Sequence, residues 1–438
     1  MKELLRIWWI SLAVKLVLSA LIPLSADEAY YWVWSQRPQL SYFDHPPLVS
    51  WLFYLGHFLE PFLHAVRWPA VLFGHLLIGI WIVLLKDKLP WDKIKIWVYL
   101  VLFSPLLGFG SLIVTPDLPV MTFWSLALLL TVHSLEKKNL GSYLGLGIAL
   151  GLGFCAKYHI VLFVPCLLAY LTFEKRWKEV RPSGVLLTIV TGLLFSSPVI
   201  VWNALNGFAS FEFQIKHGLE KTSYNPEWTL SYILGQILIL FPLVFWAALR
   251  AKVPKDLRWL HYFGWGPLIF FFLTSFRALV EANWPIIAYP AVLAAALFHP
   301  KIQKWTRAYM VFWGLIVVLV VSTLFTPSLR KLSDKVEEPY VFQELSSLAR
   351  DYSPLYASSY QMASSLWYFS KIPVFKLKDI SRFDFFDTLP EAQPQGKVFY
   401  LVKRKTNGLP AWISEQQWQM KEIKTISPDF VVLEFTRP

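Results

Sequence analysis

The chain has 438 residues, of which 56% are hydrophobic and 17% aromatic, while only 16% are charged. Soluble domains carry about 25% charged residues, so this balance excludes an ordinary soluble protein, and a mean hydropathy of +0.47 agrees. The net charge of +12 does not argue for nucleic acid, because the cations sit between apolar runs, where membrane proteins collect them.

Residues 1–6 are followed by an apolar run to Leu24 and then by Asp27-Glu28 rather than a small-residue cleavage site. The run is long enough to span a bilayer, which predicts an uncleaved first helix. Apolar runs recur at about 4–24, 66–85, 94–113, 117–135, 141–156, 158–173, 184–202, 229–249, 259–275, 284–299 and 307–325, predicting about eleven spanning helices. Lys157 interrupts the fifth and sixth with almost no loop, which predicts a tight hairpin. Gly141, Gly145, Gly147, Gly151 and Gly153 in the fifth run predict close helix packing through small residues. Cys155 and Cys166 both fall in apolar stretches, so they read as small buried groups rather than a disulfide or a thiolate metal site.

Lys and Arg are divided unequally between alternate loops, nineteen in one set and five in the other. The richer set belongs to the cytoplasm, which places the N-terminus inside and, after eleven crossings, the C-terminus outside. Two external loops are long, about 25–65 and 203–228. The first is rich in Trp, Tyr and Phe, which predicts short helices at the membrane interface. Beyond residue 326 the composition turns polar. Alternating runs at 397–402 and 430–435 predict strands and 340–350 a helix, so 327–438 reads as a small α/β domain outside the membrane, with 1–326 as the transmembrane domain.

Charged groups at membrane depth cost about 2.5–3.5 kcal/mol each on insertion scales, which makes their placement informative. On the external side they gather at helix ends: Asp27 and Glu28, Asp44 and His45, Asp117, Lys157-Tyr158-His159, Gln214 and His217, and Arg277 with Glu281 and Asn283. Taken singly, Asp117 also reads as a helix cap and Lys157 and Arg277 as snorkelling anchors. Jointly they supply acids, bases and cations on one face of a membrane.

The stretches Asp27-Glu28-Ala29-Tyr30-Tyr31-Trp32 and Tyr42-Phe43-Asp44-His45-Pro46-Pro47-Leu48 resemble the signature of the family 39/83-type membrane glycosyltransferases. Thr115-Pro116-Asp117-Leu118-Pro119, Ala156-Lys157-Tyr158, Phe213-Gln214-Ile215-Lys216-His217, Ala282-Asn283-Trp284-Pro285 and Tyr360-Gln361-Met362-Ala363-Ser364 extend the likeness in order over nearly the whole chain. The resemblance implies a mainly α, polytopic GT-C helical bundle. It also implies an inverting transferase that moves a sugar from a polyprenyl-phosphate carrier to an envelope acceptor, with lipid A or another glycolipid foremost and protein Ser/Thr second. The setting it implies is the periplasmic face of a bacterial inner membrane.

By the same resemblance Asp27 is the catalytic base, Asp44 a second acidic position, and Asp117 a functional acid. On physical grounds, a cation beside a phosphate that gains charge near an apolar environment acts more strongly than in water, so Lys157, Arg277 and His45 are read as holding the donor phosphate, and Glu28, Tyr158, Gln214, His217 and Asn283 are candidates for sugar or acceptor contacts. His45 stands where aminoarabinose transferases carry Lys, so its charge depends on pH. Asp44 and His45 are candidate ligands for a divalent metal, although two residues do not name a site. A lipid or sugar flippase is the competing class. The gathering of polar residues at one face, followed by a large outer domain, disfavours it.

Overall fold

The protein is described by a computed structural model covering residues 1–219, 224–426 and 428–437, with the side chains of residues 217–219 outside that description. It is mainly helical. In chain order the helices are α1 Lys2–Leu21, α2 Ala26–Ser35, α3 Leu48–Tyr54, α4 Trp68–Leu85, α5 Trp91–Phe103, α6 Asp117–Lys137, α7 Leu140–Ala156, α8 Phe163–Phe173, α9 Pro182–Leu205 and α10 Ala209–Leu219. They continue with α11 Pro226–Ile239, α12 Pro242–Leu249, α13 Trp259–Thr274, α14 Tyr289–Ala296 and α15 Ile302–Ser322. Contacts divide the chain into two compact units, Met1–Leu21 with Leu40–Ser322, and Ile22–Gln39 with Thr323–Pro438.

In the first unit every apolar run is helical along most of its length. By length and composition, five helices among the described residues suffice to cross a membrane: Lys2–Leu21, Ala65–Leu85, Asp117–Lys137, Pro182–Leu205 and Ile302–Ser322. The number rises to seven when two bent pairs each count as one span. Those pairs, Trp91–Phe103 with Pro105–Leu112 and Pro226–Ile239 with Pro242–Leu249, bend by 70° and 95°. The sequence presents each as one run, and proline explains the break. Pro105 forces Ser104 out of the helical region, to ψ 134°, and Phe241, before Pro242, has ψ 125°. Leu140–Ala156, Tyr158–Phe173 and Trp284–Ala296 are shorter apolar helices.

The hairpin of α6 and α7 is built by local chemistry. Lys138 adopts the left-handed conformation that ends α6 (φ 50°). Asn139 then caps α7, its side-chain oxygen accepting from the Ser142 N–H at 2.7 Å. The chain thus returns along α6, and the end of α7 comes beside the start of α6. Two glycines let α9 close on α7. A Cβ on Gly147 would stand 1.9 Å from Thr191 Oγ1, and one on Gly151 would stand 2.6 Å from the Gly192 carbonyl oxygen. Both cysteines are buried and free.

In the second unit α16 Pro327–Arg330, α17 Asp334–Leu345 and α18 Leu348–Asp351 precede strand β1 Leu355–Ala357. Next come α19 Tyr360–Ser370 and strands β2 Phe375–Lys376, β3 Val398–Arg404, β4 Gln419–Thr425 and β5 Phe430–Thr436. The sheet order is β2-β1-β3-β5-β4, with β1 parallel to both neighbours and the β3–β5 and β5–β4 pairs antiparallel. Phe399 and Leu401 pair with Phe435 and Leu433, and these side chains join Tyr356, Trp418 and Val431 in one core. The edge strand β4 is exposed throughout and carries Lys421, Glu422 and Lys424, charges that discourage pairing with another chain. Lys376 is fully buried, and its ammonium reaches Asp384 at 2.7 Å, Asp387, and the Arg382 carbonyl at 2.7 Å. A buried cation satisfied in this way holds the loop after β2 in place.

Helix α2 belongs to this second unit because its aromatic residues pack on α19. Tyr30 lies 4.5 Å from the Tyr360 ring, and Trp32 lies 5.2 Å from Tyr368. The Tyr30 hydroxyl accepts from the Phe385 N–H at 2.8 Å.

Candidate active site

In the first unit the α6–α7 hairpin brings together two residues forty positions apart. Lys157 follows α7 as a single extended residue (φ −160°, ψ 140°) before the chain turns helical again at Tyr158. Its ammonium donates to Asp117 Oδ1 at 2.7 Å, and both side chains are over nine-tenths buried. Asn283, at the start of the short helical turn Trp284–Ala288, donates its amide to Asp117 Oδ2 at 2.6 Å. Thr115 Oγ1 lies 3.5 Å from the same oxygen, the outer limit of a hydrogen bond.

Asp117 is therefore more than a helix cap. It stands at the first position of α6, where the helix dipole favours a carboxylate, yet both its oxygens are engaged by side chains from elsewhere. An ammonium carries three donors, and the contact with Asp117 engages one of them.

A second group lies on the loop before α3 and on α10. Asp44 is buried, and its backbone carbonyl accepts from Gln214 Nε2 at 2.6 Å. Phe43 and Phe213 pack beside that bond with their rings 4.9 Å apart. The Tyr158 hydroxyl is 2.9 Å from Ser210 Oγ, which ties the end of α7 to α10. The His159 ring meets Trp284 edge-on at 5.8 Å. Arg277 is exposed beyond α13. The His217 side chain lies outside the described residues.

In the second unit Asp27 is the one residue of α2 that is exposed; the other nine are buried. The Tyr360 hydroxyl donates to Asp27 Oδ1 at 3.2 Å. Glu28 is fully buried and closes a capping box: its Oε2 accepts from the Ser25 N–H at 3.0 Å, and the Glu28 N–H donates to Ser25 Oγ. Its neighbour is thereby held at the helix surface. Tyr30 and Trp32 are buried packing residues.

The structure thus joins Asp117, Lys157 and Asn283 directly and links Gln214 to the Asp44 backbone. Thr115 and Tyr360 were not singled out by sequence, although both lie inside the motifs quoted above. A hydroxyl two residues before a buried acid is the signal that points to Thr115. Among the described residues no group of three or more His, Cys, Asp or Glu side chains is placed to hold a metal ion. Asp44 and His45 thus have no third such side chain grouped with them among the described residues.

The overall fold matches that of the crystal structure of ArnT from Cupriavidus metallidurans bound to undecaprenyl phosphate, with a TM-score of 0.70 and 14% identity over 99% of this chain and 98% of that one. The chain thus has the GT-C fold of that structure. The apo structure of the same ArnT gives a TM-score of 0.71 at 15% identity. A family model described as dolichyl-phosphate-mannose-protein mannosyltransferase matches residues 44–202 of this GT-C chain, the part that holds Asp44, Asp117 and Lys157.

Among curated relatives, the lipid A galacturonosyltransferase RgtD of Rhizobium johnstonii is 25% identical over 317 residues, 68% of this chain and 66% of the relative. The undecaprenyl phosphate-alpha-4-amino-4-deoxy-L-arabinose arabinosyl transferase of Edwardsiella ictaluri is 29% identical over 229 residues, 44% of this chain and 40% of the relative. The matched stretches thus span about two thirds or less of these relatives' own lengths.

Proposed function

We propose that this chain is an inverting glycosyltransferase that moves a sugar from a polyprenyl-phosphate carrier to an envelope glycolipid, lipid A foremost, at the periplasmic face of the bacterial inner membrane. The observation that carries this reading is the buried Asp117–Lys157–Asn283 cluster at the end of the α6–α7 hairpin. A buried cation clamped by a carboxylate is pre-aimed and costs no reorganisation when negative charge develops beside it. The names of both curated relatives, and the ligand of the ArnT crystal structure, support the same donor and acceptor classes.

In the proposed reaction the acceptor oxygen attacks the anomeric carbon opposite the carrier phosphate. The bond between that carbon and the phosphate oxygen breaks, its electron pair stays on the phosphate, and configuration inverts. Lys157 turns its remaining donors to the leaving phosphate, assisted by Arg277 and His45. Asp117 and Asn283 hold Lys157 and its surroundings in position. Asp27 is assigned the proton of an acceptor hydroxyl on the resemblance of its motif; a phosphate acceptor has none to give, and Asp27 then orients. Asp44 belongs with Asp27 and Asp117 to the catalytic set, and Tyr158, Gln214 and His217 are assigned to sugar or acceptor contacts. Eleven crossings, an N-terminus inside and a C-terminal domain outside complete the reading.

Protein O-mannosyl transfer is the second reading, favoured by the family match over 44–202. The deciding experiment uses the purified full chain in nanodiscs with radiolabelled undecaprenyl-phosphate sugars, offering lipid A and a Ser/Thr-rich peptide in parallel. Label on lipid A, lost in Asp27→Ala, is the expected result. Label on the peptide alone moves the assignment to the second reading, and label on neither acceptor overturns both.

A further inference from the structure

The second unit contains a polar cleft of about 210 Å³ that no step above uses. Its wall is formed by α17, the start of α19, and the end of β3 with the loop after it. Glu338 and Arg404 face each other across it at 3.7 Å, an open pair with 31% and 52% of the side chains exposed. Asn407 donates to Ser358 Oγ at 3.1 Å, and Gln361 completes the polar rim. Phe342 and Met362 supply an apolar patch.

We propose that this cleft is a subsite for one neutral pyranose ring of the acceptor glycolipid, which rests on the glycosyltransferase reading above. The chemistry fits a sugar. Arg404, Asn407 and Gln361 supply donors and Glu338 and Ser358 supply acceptors, and sugar hydroxyls both donate and accept. The apolar patch suits the C–H face of a pyranose. One acid and one base leave no net charge to select an anion. The volume is below the ~300–1,000 Å³ of drug-sized sites, so it takes a single ring.

The place of the cleft connects it to the acceptor hydroxyl. Ser359 and Gln361 line the cleft while Tyr360, between them, donates to Asp27 at 3.2 Å. Ser359 caps α19, accepting from the Met362 N–H at 3.3 Å, so these three residues are held as a unit. Burial pushes the Glu338 carboxyl above its ordinary value, Arg404 opposes this, and Asp27 and Asp334 add to it. Glu338 thus lies within the electrostatic reach of Asp27.

The test is acceptor kinetics on the full chain in nanodiscs, with lipid A as acceptor, for Glu338→Gln, Arg404→Ala and Asn407→Ala, and with Lys421→Ala on the exposed edge strand as control. Hydrogen bonds to charged groups contribute about 1.5–3 kcal/mol, so Glu338→Gln and Arg404→Ala raise the KM for lipid A roughly tenfold or more. The KM for donor and the rate of donor hydrolysis by water stay within about twofold, which shows that the variants fold. In parallel, saturation-transfer NMR with the neutral N-acetyl-D-glucosamine as probe gives a signal in wild type that is lost in Arg404→Ala. An unchanged acceptor KM in all three variants of an active enzyme overturns the subsite and leaves the glycosyltransferase reading intact. Absence of any transfer by wild type overturns the reading itself, and with it the acceptor role, while the N-acetyl-D-glucosamine signal still decides whether the cleft binds a sugar.

Discussion

At the scale of single residues, stability and the proposed catalytic role meet in the Asp117–Lys157 pair, and mutation separates them. Removing one partner of a buried pair costs about 3–5 kcal/mol because the other charge is left unpaired. Removing a preorganised stabiliser of developing charge costs about 10²–10³ in rate. Lys157→Met is therefore expected to lose both stability and transfer. Asp117→Asn with Lys157→Met is expected to recover stability while transfer stays low, because the uncharged double variant has no cation for the phosphate. Asn283→Ala removes one hydrogen bond to a charged oxygen, a loss of about 1.5–3 kcal/mol at most, and is expected to be the mildest of the set. Thermal unfolding in nanodiscs and kcat/KM for the donor check these together. Transfer restored in the double variant would remove Lys157 from the leaving-group site. The pair was legible in sequence only as two charges at external helix ends, since nothing in the chain order says that residues forty positions apart will bond.

At the scale of elements, glycine and proline decide what the apolar runs become. The glycine-rich run at 141–153 signals close packing, and the structure adds the partner, α9. Gly147→Ala places a methyl 1.9 Å from Thr191 Oγ1 and 2.4 Å from the Thr188 carbonyl oxygen, so it is expected to destabilise by about 1–3 kcal/mol. Gly192→Ala meets only the Gly147 carbonyl oxygen at 3.6 Å and is expected to be neutral or to stabilise by up to about 1 kcal/mol through helix propensity. Melting temperatures of the two variants in the same detergent test the difference, and equal shifts would contradict the packing account. The strands Val398–Arg404 and Phe430–Thr436 were readable from their alternation, whereas β4 was not, because an exposed edge strand with Lys421, Glu422 and Lys424 has no buried face to alternate. Pro105 and Pro242 bend runs that hydropathy alone reads as continuous. The attachment of α2 to the second unit was hidden for a different reason: it depends on aromatic packing against α19, more than three hundred residues away.

At the scale of the whole molecule, the periplasmic assignment rests on an asymmetry of nineteen Lys and Arg against five in alternate loops. Only an odd number of crossings between the N-terminus and the C-terminal domain makes both statements compatible, and the short and bent helices α5, α7, α8, α11–α12, α13 and α14 must each take part for eleven to be reached. The C-terminal domain would then share a compartment with envelope glycolipids, whereas an even count would turn it to the cytoplasm and away from a periplasmic acceptor. Labelling by a membrane-impermeant maleimide distinguishes the two. The native Cys155 and Cys166 are buried and should stay silent. Lys421→Cys, on the exposed strand β4, is expected to react in intact spheroplasts, and Lys137→Cys, exposed at the end of α6, only after permeabilisation. The Lys137 position tests the count up to α6, which includes the bent α5. The Lys421 position tests everything after it. If Lys421→Cys stays protected while Lys137→Cys behaves as expected, the error lies between α7 and α15, the C-terminal cleft faces the cytoplasm, and a periplasmic lipid A acceptor is ruled out for this chain.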